Sequence, residues 1–344
     1  MKPSSSETRQ AKSPVVGVDS LMFFGMGILP PIVPVFLKLA SFKTSYRRKD
    51  IFSCCLLIIF GLLIYLFNAS FVAFANWLLL AGFLLYSKKI LSIDTVHSII
   101  PLTLWFCMSL ALGFLFPVID GLETRIALYG GETNFTGFYL LIFSLALFSR
   151  GKVYAGDSVI FFTALITLSR TAAVTGLIIW LWRQFGGRFG NRFGIVRACL
   201  LIVVCFILYK LANLYGVFES TGYVFGPSRI YQLNDSSSGA RIDLMFTWFG
   251  FLVSDMTYFF VGYPQISIDN LYQQSGMVVH NSFILKSITC GAIYTFTLVI
   301  IAYRILALEV FAVLMAYCFM LHGLLTIPLI ILLRFLFGSA RRIF

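Results

Sequence analysis

The chain has 344 residues, a formal net charge of +12 and a hydrophobic content of 59%, whereas charged residues make up only 12%. A soluble domain needs more polar surface than this to cover its core, so the composition excludes an ordinary soluble protein. The mean hydropathy of +0.92 and the recurring apolar runs predict an all-α polytopic integral membrane protein. Helices are expected because lipid offers no partners for backbone polar groups.

The basic residues gather in short clusters between the apolar runs. This distribution is typical of cytoplasmic loops, so we expect membrane lipids and no nucleic acid as partners. All seven cysteines fall in apolar runs without metal-type spacing, which predicts buried thiols rather than disulfides or metal ligands. Walker loops, dinucleotide fingerprints and Asp-x-Asp pairs do not occur, so we expect neither a cofactor nor a metal.

The predicted spans follow from placing every basic cluster in the cytoplasm, since an even number of crossings must then separate neighbouring clusters. Residues 18–40 contain three prolines and form either a broken hairpin or one crossing with the amino terminus outside. With these residues included, we expect about ten to twelve spans. The remaining predicted spans, in chain order, are residues 51–67 and 70–86 with a turn at Asn68, 96–118, 134–148, 154–184 divided near Ser169, 195–212, 284–303, 306–321 and 326–338.

These spans leave one long polar segment, residues 213–283, on the outer, periplasmic face. Within this loop, residues 240–255 are predicted to form a short amphipathic helix that lies at the interface or tucks into the bundle. One side of that helix carries Arg241, Leu244, Met245, Trp248 and Leu252. The predicted organisation is a polar tail (1–17), amino-terminal spans (18–212), the periplasmic loop (213–283), carboxy-terminal spans (284–338) and a basic cytoplasmic tail (339–344).

Two arginines are candidates for binding an anion. Arg170 lies between two apolar runs, and an arginine at membrane depth costs about 2.5–3.5 kcal/mol unless it has a partner or a wet cavity. The alternative is an arginine that reaches the outer rim. Arg241 opens the amphipathic segment, and its alternative role is a salt bridge with Asp243 or Asp235. A guanidinium group matches the oxygens of a phosphate.

His280 stands at the mouth of a predicted span, where an imidazole can take a proton from a hydroxyl group. A structural hydrogen bond is the alternative for this histidine. The neighbouring Asn281 is expected either to hold the ring or a sugar hydroxyl, or to cap the helix that begins at Ser282. We expect His97 and His322 to be structural and Glu309 to have an orienting role.

Several further residues are candidates for binding a substrate. Trp248 and Tyr263 have ring faces suited to sugars, although aromatic residues are also common at the membrane interface. Glu132 and Asn134 open a span on the outer side and are expected to line the same cavity as the other candidates, and Ser169 is a further candidate for binding substrate.

Four short motifs occur in a fixed order: "GGETNFTGFYLL" at 130–141, "SR" at 169–170, "R…W…GYP" from Arg241 through Trp248 to 262–264, and "HNSF" at 280–283. In this order they resemble the O-antigen polymerase and O-antigen ligase superfamily, over roughly residues 130 to 325. The resemblance implies a C-type glycosyltransferase fold acting on undecaprenyl diphosphate-linked oligosaccharides at the periplasmic face of the bacterial inner membrane. Carried over, Arg170 and Arg241 hold the donor diphosphate, and His280 acts on the acceptor hydroxyl or the leaving group.

The resemblance leaves the type of transfer open. Ligases often carry a polar residue two positions before the His-Asn pair, but this chain has Val278 there, which favours a polymerase with a possible chain-length regulator protein as partner. A transporter of lipid-linked oligosaccharides is an alternative from another class. Transporters tend to show internal repeats, and none stands out in this chain.

Overall fold

The computed structural model describes residues 48–91, 107, 111, 118–120, 123–125, 133–167, 169–186, 236–338 and 343. These residues form twelve helices and one two-stranded antiparallel hairpin, so the predicted all-α class is confirmed apart from this small hairpin. The elements are α1 Arg48–Asn68, α2 Phe71–Leu91, β1 Val118–Asp120, β2 Glu123–Arg125, α3 Thr133–Phe148, α4 Val153–Thr167, α5 Arg170–Gly186, α6 Ser236–Val253, α7 Met256–Val261, α8 Gln265–Ser275, α9 Ser282–Cys290, α10 Ala292–Ile305, α11 Leu308–Met320 and α12 Ile327–Phe337.

Several predictions fall outside the described residues. These are the tail 1–17, the segments 18–40 and 195–212, most of 96–118, and Glu132. Of the basic tail only Ile343 is described, and its backbone N–H donates to Oε2 of the buried Glu309 at 3.1 Å. Glu309 therefore binds the backbone of Ile343, and the orienting role expected for it stays a prediction.

The surface of the described bundle is strongly apolar. Helix α1 is the one described helix that is both long enough and apolar enough to cross a membrane, and seven shorter apolar segments accompany it. Large apolar side chains on different helices face outward, among them Leu66 with 70% and Phe296 with 63% of the side chain exposed. An apolar exterior of this kind agrees with a helical membrane protein.

The core is built around α12, in which every residue from Ile327 to Phe337 is buried. This helix packs against α2 and α10, and α11 packs against α3. The rings of Phe138 and Tyr317 meet edge to face at a centroid distance of 5.3 Å between α3 and α11. The helices predicted at 134–148, 306–321 and 326–338 are therefore confirmed as helices, and they form the centre of the bundle.

Two predicted turns are confirmed. Helices α1 and α2 form a hairpin that turns through Asn68, Ala69 and Ser70, and Ala69 takes the left-handed conformation with φ 52°. The apolar segment 154–184 divides into α4 and α5 immediately before Arg170, as the basic flanks of the segment had indicated. The side chain of Asn68 donates to the Gly262 carbonyl at 2.7 Å, which fixes the first turn against the region that follows α7.

The predicted span 284–303 is not one continuous helix, and whether it crosses a membrane stays a prediction. It breaks at Gly291, with φ 89°, into α9 and α10. The cause is a close backbone crossing, because a Cβ at Gly291 would lie only 2.1 Å from the Phe260 carbonyl oxygen. The segment after α7 also contacts the end of α9, because the Tyr263 N–H donates to the Ile288 carbonyl at 2.7 Å. Helix α9 has nine residues and is about 13 Å long, too short to cross a membrane.

The amphipathic helix predicted at 240–255 is confirmed as α6. Its apolar side tucks into a small second core that it shares with α8 and α9. This second core consists of Leu244, Trp248, Leu252, Tyr263, Ile268, Leu271, Val279, Ile284 and Ile288. The core holds α6 beside the start of α9.

The crossing at Gly291 yields a stability prediction. We expect Gly291→Ala to lower the free energy of unfolding by on the order of 3 kcal/mol, because the methyl group meets backbone and the conformation is left-handed. Gly250→Ala in α6 is the matched control, since a Cβ there meets nothing within 4 Å, and helix propensity should raise stability by about 0.5–1 kcal/mol. Thermal unfolding of the detergent-purified proteins measures both changes. Equal stability of the two variants would contradict the crossing.

Candidate functional site

The start of α9 is fastened to the turn between α11 and α12 by one hydroxyl group. Ser282 is fully buried, and its Oγ donates to the Leu321 carbonyl at 2.5 Å. The same oxygen accepts from the Leu324 N–H at 3.2 Å. His280 lies two residues before Ser282, and His322 lies within the turn. The two hydrogen bonds of the Ser282 hydroxyl, which we call the clasp, therefore bring the two histidine-bearing segments side by side.

The rings of these two histidines are in contact. Their centroids lie 5.3 Å apart, with an interplanar angle of 69°. The ring of Phe135, at the start of α3, meets His322 edge to face at 6.1 Å. Within the described residues, Nδ1 of His322 is buried without a hydrogen-bond partner. Two of the three histidines of the chain therefore lie next to each other.

A hydrogen-bonded pair of polar residues lies next to this ring contact. The Ser169 hydroxyl donates to Oδ1 of Asn134 at 2.6 Å, and it also accepts from the Ala172 N–H at 3.2 Å, so that it caps α5. Asn134 directly precedes Phe135, whose ring touches His322. Asn134 and Ser169 were separate candidates for binding substrate in the sequence analysis, and the structure brings these two residues together.

The backbone brings both candidate arginine positions to the same region. Helix α5 begins at Arg170, immediately after Ser169. Arg241 stands four residues before Met245 in α6 and therefore on the same face of that helix. The sulfur of Met245 accepts from Nδ2 of Asn281 at 3.8 Å, which places this face of α6 beside the His-Asn pair. The side chains of both arginines lie outside what the structure describes.

Asn281 caps α9, the alternative that the sequence analysis had left open. Its Oδ1 accepts from the backbone N–H groups of Phe283 and Ile284, both at 3.0 Å. Because both acceptor bonds are local, the oxygen of Asn281 is committed to the helix and only its amide nitrogen faces α6. A substrate-binding role for Asn281 stays a prediction.

Trp248 and Tyr263 are placed differently from the expectation that their faces bind sugar. Trp248 is 1% exposed and Tyr263 is 4% exposed. The Tyr263 hydroxyl donates to the Phe251 carbonyl at 2.6 Å, and its ring packs 4.3 Å from the Phe251 ring, measured between centroids. With both faces covered by protein, these residues support the second core, and sugar stacking has no geometric basis in this conformation.

Two polar residues at this end were not counted among the candidate site residues in the sequence analysis. His322 was expected to be structural, although its place at an outer turn, like that of His280, was a usable signal. Lys286 was overlooked because it lies in an apolar run. Its Nζ donates to Oδ1 of Asn76 in α2 at 2.8 Å, and the Tyr294 hydroxyl donates to the Asn76 carbonyl at 3.1 Å. No carboxylate of the described residues pairs with this lysine.

Comparison with known proteins adds no assignment. No protein-family model, no curated protein and no solved structure matches the chain. Within the described part of the chain, no group of three or more His, Cys, Asp or Glu residues is arranged to hold a metal ion. The resemblance to the O-antigen polymerase and ligase superfamily stays a prediction, and function must be argued from the residues themselves.

The clasp at Ser282 can be tested by stability. Ser282→Ala leaves two buried backbone groups without a partner, so we expect the free energy of unfolding to fall by about 1–3 kcal/mol. Ser158→Ala removes the same atom from an exposed helical position and should change it by less than about 0.5 kcal/mol. Thermal unfolding in detergent compares the two. A Ser282→Ala protein as stable as Ser158→Ala would argue against the clasp.

The cap at Asn281 gives a second prediction. Asn281→Ala should cost about 1 kcal/mol of stability because α9 loses its acceptor, whereas Asn281→Asp retains an oxygen in place and should be nearly neutral. The unfolding temperatures of the two variants make the comparison. Loss of activity in the stable Asn281→Asp protein would reveal an additional role in binding substrate. Equal destabilisation by both changes would refute capping by this side chain.

Proposed function

We propose that this protein is a glycosyltransferase that uses a polyprenyl diphosphate-linked donor. More specifically, we propose an O-antigen polymerase that joins undecaprenyl diphosphate-linked repeat units. The observation that carries this proposal is the meeting of His280 and His322 beside the Ser169–Asn134 pair, at the point where α5 and α6 bring the positions of Arg170 and Arg241. A cluster of polar residues at one end of an apolar bundle suits a substrate with a lipid tail and a sugar head.

In the proposed reaction, a hydroxyl group of the acceptor sugar attacks the anomeric carbon of the donor's first sugar. His280 orients this hydroxyl or accepts its proton. Arg170 and Arg241 bind the diphosphate, whose departure they favour by matching its growing negative charge. A single displacement of this kind inverts the anomeric configuration. Since the lipid diphosphate is itself the leaving group, the reaction proceeds without a nucleotide donor.

The proposed location is the bacterial inner membrane, with the site facing the periplasm. The distribution of basic clusters supports this orientation, because it leaves the 213–283 region and the His322 turn on the side away from them. The proposal includes about ten to twelve spans and a C-type glycosyltransferase-like arrangement. Its partners are the lipid-linked oligosaccharide, membrane lipids and a chain-length regulator protein.

Two other functions compete with polymerisation. A ligase would transfer finished polymer to the lipid A core, and a transporter would move the lipid-linked oligosaccharide without breaking a bond. Val278 disfavours the ligase, because its side chain packs against the apolar second core and provides no polar group near His280. The contact between two imidazoles favours chemistry over transport, because a transporter has no need to move the proton of a hydroxyl group.

The proposal predicts the effect of three substitutions. Arg170→Ala, Arg241→Ala and His280→Ala should each reduce polymerisation by about 10²-fold or more, because each removes a group that acts in the transition state. The measurements are lipopolysaccharide ladders in a deletion strain and turnover of purified protein with lipid-linked repeat units.

Arg304→Ala and His97→Ala are the matched controls. Arg304 is exposed in the last turn of α10, and His97 lies next to a predicted cytoplasmic boundary, so both variants should keep normal ladders. Normal ladders in all three site variants, at normal protein levels, would refute the proposal. A deletion strain with bare core and accumulated lipid-linked polymer would indicate a ligase. Movement of the substrate without bond formation would indicate a transporter.

A further inference from the structure

We propose that the base of this site is a pair of imidazoles, in which His322 receives the acceptor proton through His280. His322 is then a positioning residue that acts through its neighbour, and the inference rests on the proposed function. The inference starts from the contact between the two rings. Their centroids lie 5.3 Å apart and their planes meet at 69°, so that the edge of one ring points towards the other ring. Two imidazoles in ring contact can exchange a proton when rotation of one ring brings a nitrogen of each within hydrogen-bond reach, directly or through one water molecule.

The state of Nδ1 of His322 supports this role. It is buried and has no partner among the described residues, whereas buried polar atoms in proteins are nearly always paired. A neutral imidazole has one nitrogen that accepts a hydrogen bond. A proton delivered by rotation of the His280 ring would give this nitrogen the partner that it lacks among the described residues.

The His322 ring is held on two sides, as a relay requires. The Ser282 hydroxyl bonds to the backbone on both sides of His322, at Leu321 and at Leu324. The Phe135 ring touches the imidazole edge to face. A ring fixed in this way keeps a constant relation to His280 and so limits the orientations that the His280 ring adopts.

The groups packed around the two rings are mostly neutral. Phe135 of α3 contacts the His322 ring, Asn281 and Ser282 follow His280 in the chain, and Met245 of α6 lies beside Asn281. At this end of α5 and α6 the sequence places Arg170, Arg241 and Asp243, of which only the Asp243 side chain is described, and it is exposed.

The proton and electron count is complete within the proposed reaction. The bond between the anomeric carbon and the diphosphate oxygen breaks, and its electron pair leaves with the diphosphate. The acceptor oxygen forms the new bond to that carbon. Its proton moves to His280, from there to His322, and is released to solvent before the next cycle.

The test uses the purified full-length protein and replaces His322 in two ways. His322→Phe keeps an aromatic ring against Phe135 but removes both nitrogens, and we expect kcat to fall about 10²-fold with KM for the lipid-linked donor unchanged. His322→Gln restores an acceptor and should recover part of kcat. His97→Phe is the matched control and should keep wild-type kcat. Wild-type kcat in His322→Phe would overturn the inference.

A second measurement does not depend on turnover. Because the chain has only three histidines, NMR of ring-labelled histidine in micelles can follow each imidazole as the pH changes. We expect His280 and His322 to titrate as a coupled pair, and His280 to titrate as an independent group in His322→Phe. Independent titration of both rings in the wild-type protein would overturn the pair. If the wild-type protein transfers no sugar, the proposed function fails, and this titration alone decides whether the two rings share a proton.

Discussion

The hydroxyl group of Ser282 is the contact on which the candidate site depends. It joins the beginning of α9 to the turn after α11, and both histidine-bearing segments take their places from it. A buried hydroxyl that serves two backbone groups is costly to lose, on the order of 1–3 kcal/mol, because neither group has water as a replacement. The contact between His280 and His322 is therefore built into the packing of the bundle.

The glycine crossing near Gly262 and Gly291 explains why α9 can occupy this position. Two backbones approach closely there, and each glycine adopts a positive φ that side chains disfavour. The chain can then end α9 after nine residues and begin α10 in a new direction. One end of this short helix meets the His322 turn, and the other meets the loop that Asn68 also binds. Helix α9 thus connects the periphery of the bundle to the candidate site.

The sequence analysis was most successful where a signal is local. The hairpin around Asn68, the break before Arg170 and the amphipathic helix α6 were all predicted, because hydropathy and charge act over a few residues. It failed at residues 284–303, where the break depends on a close approach by a distant segment. It also proposed Trp248 and Tyr263 as ring faces for sugar, whereas both are buried, since an aromatic residue looks the same in sequence whether it lies at an interface or in a core.

The sequence by itself determined a helical, apolar protein with clusters of basic residues between its apolar runs. It also singled out Arg170, Arg241 and His280 as residues unusual for their surroundings. Only the tertiary structure decided which residues meet. It paired His280 with His322 across three intervening helices, paired Ser169 with Asn134, and used Asn281 to cap α9. The reason is physical, since helix formation follows from nearby residues, whereas contacts between helices depend on how buried side chains and backbones fit together.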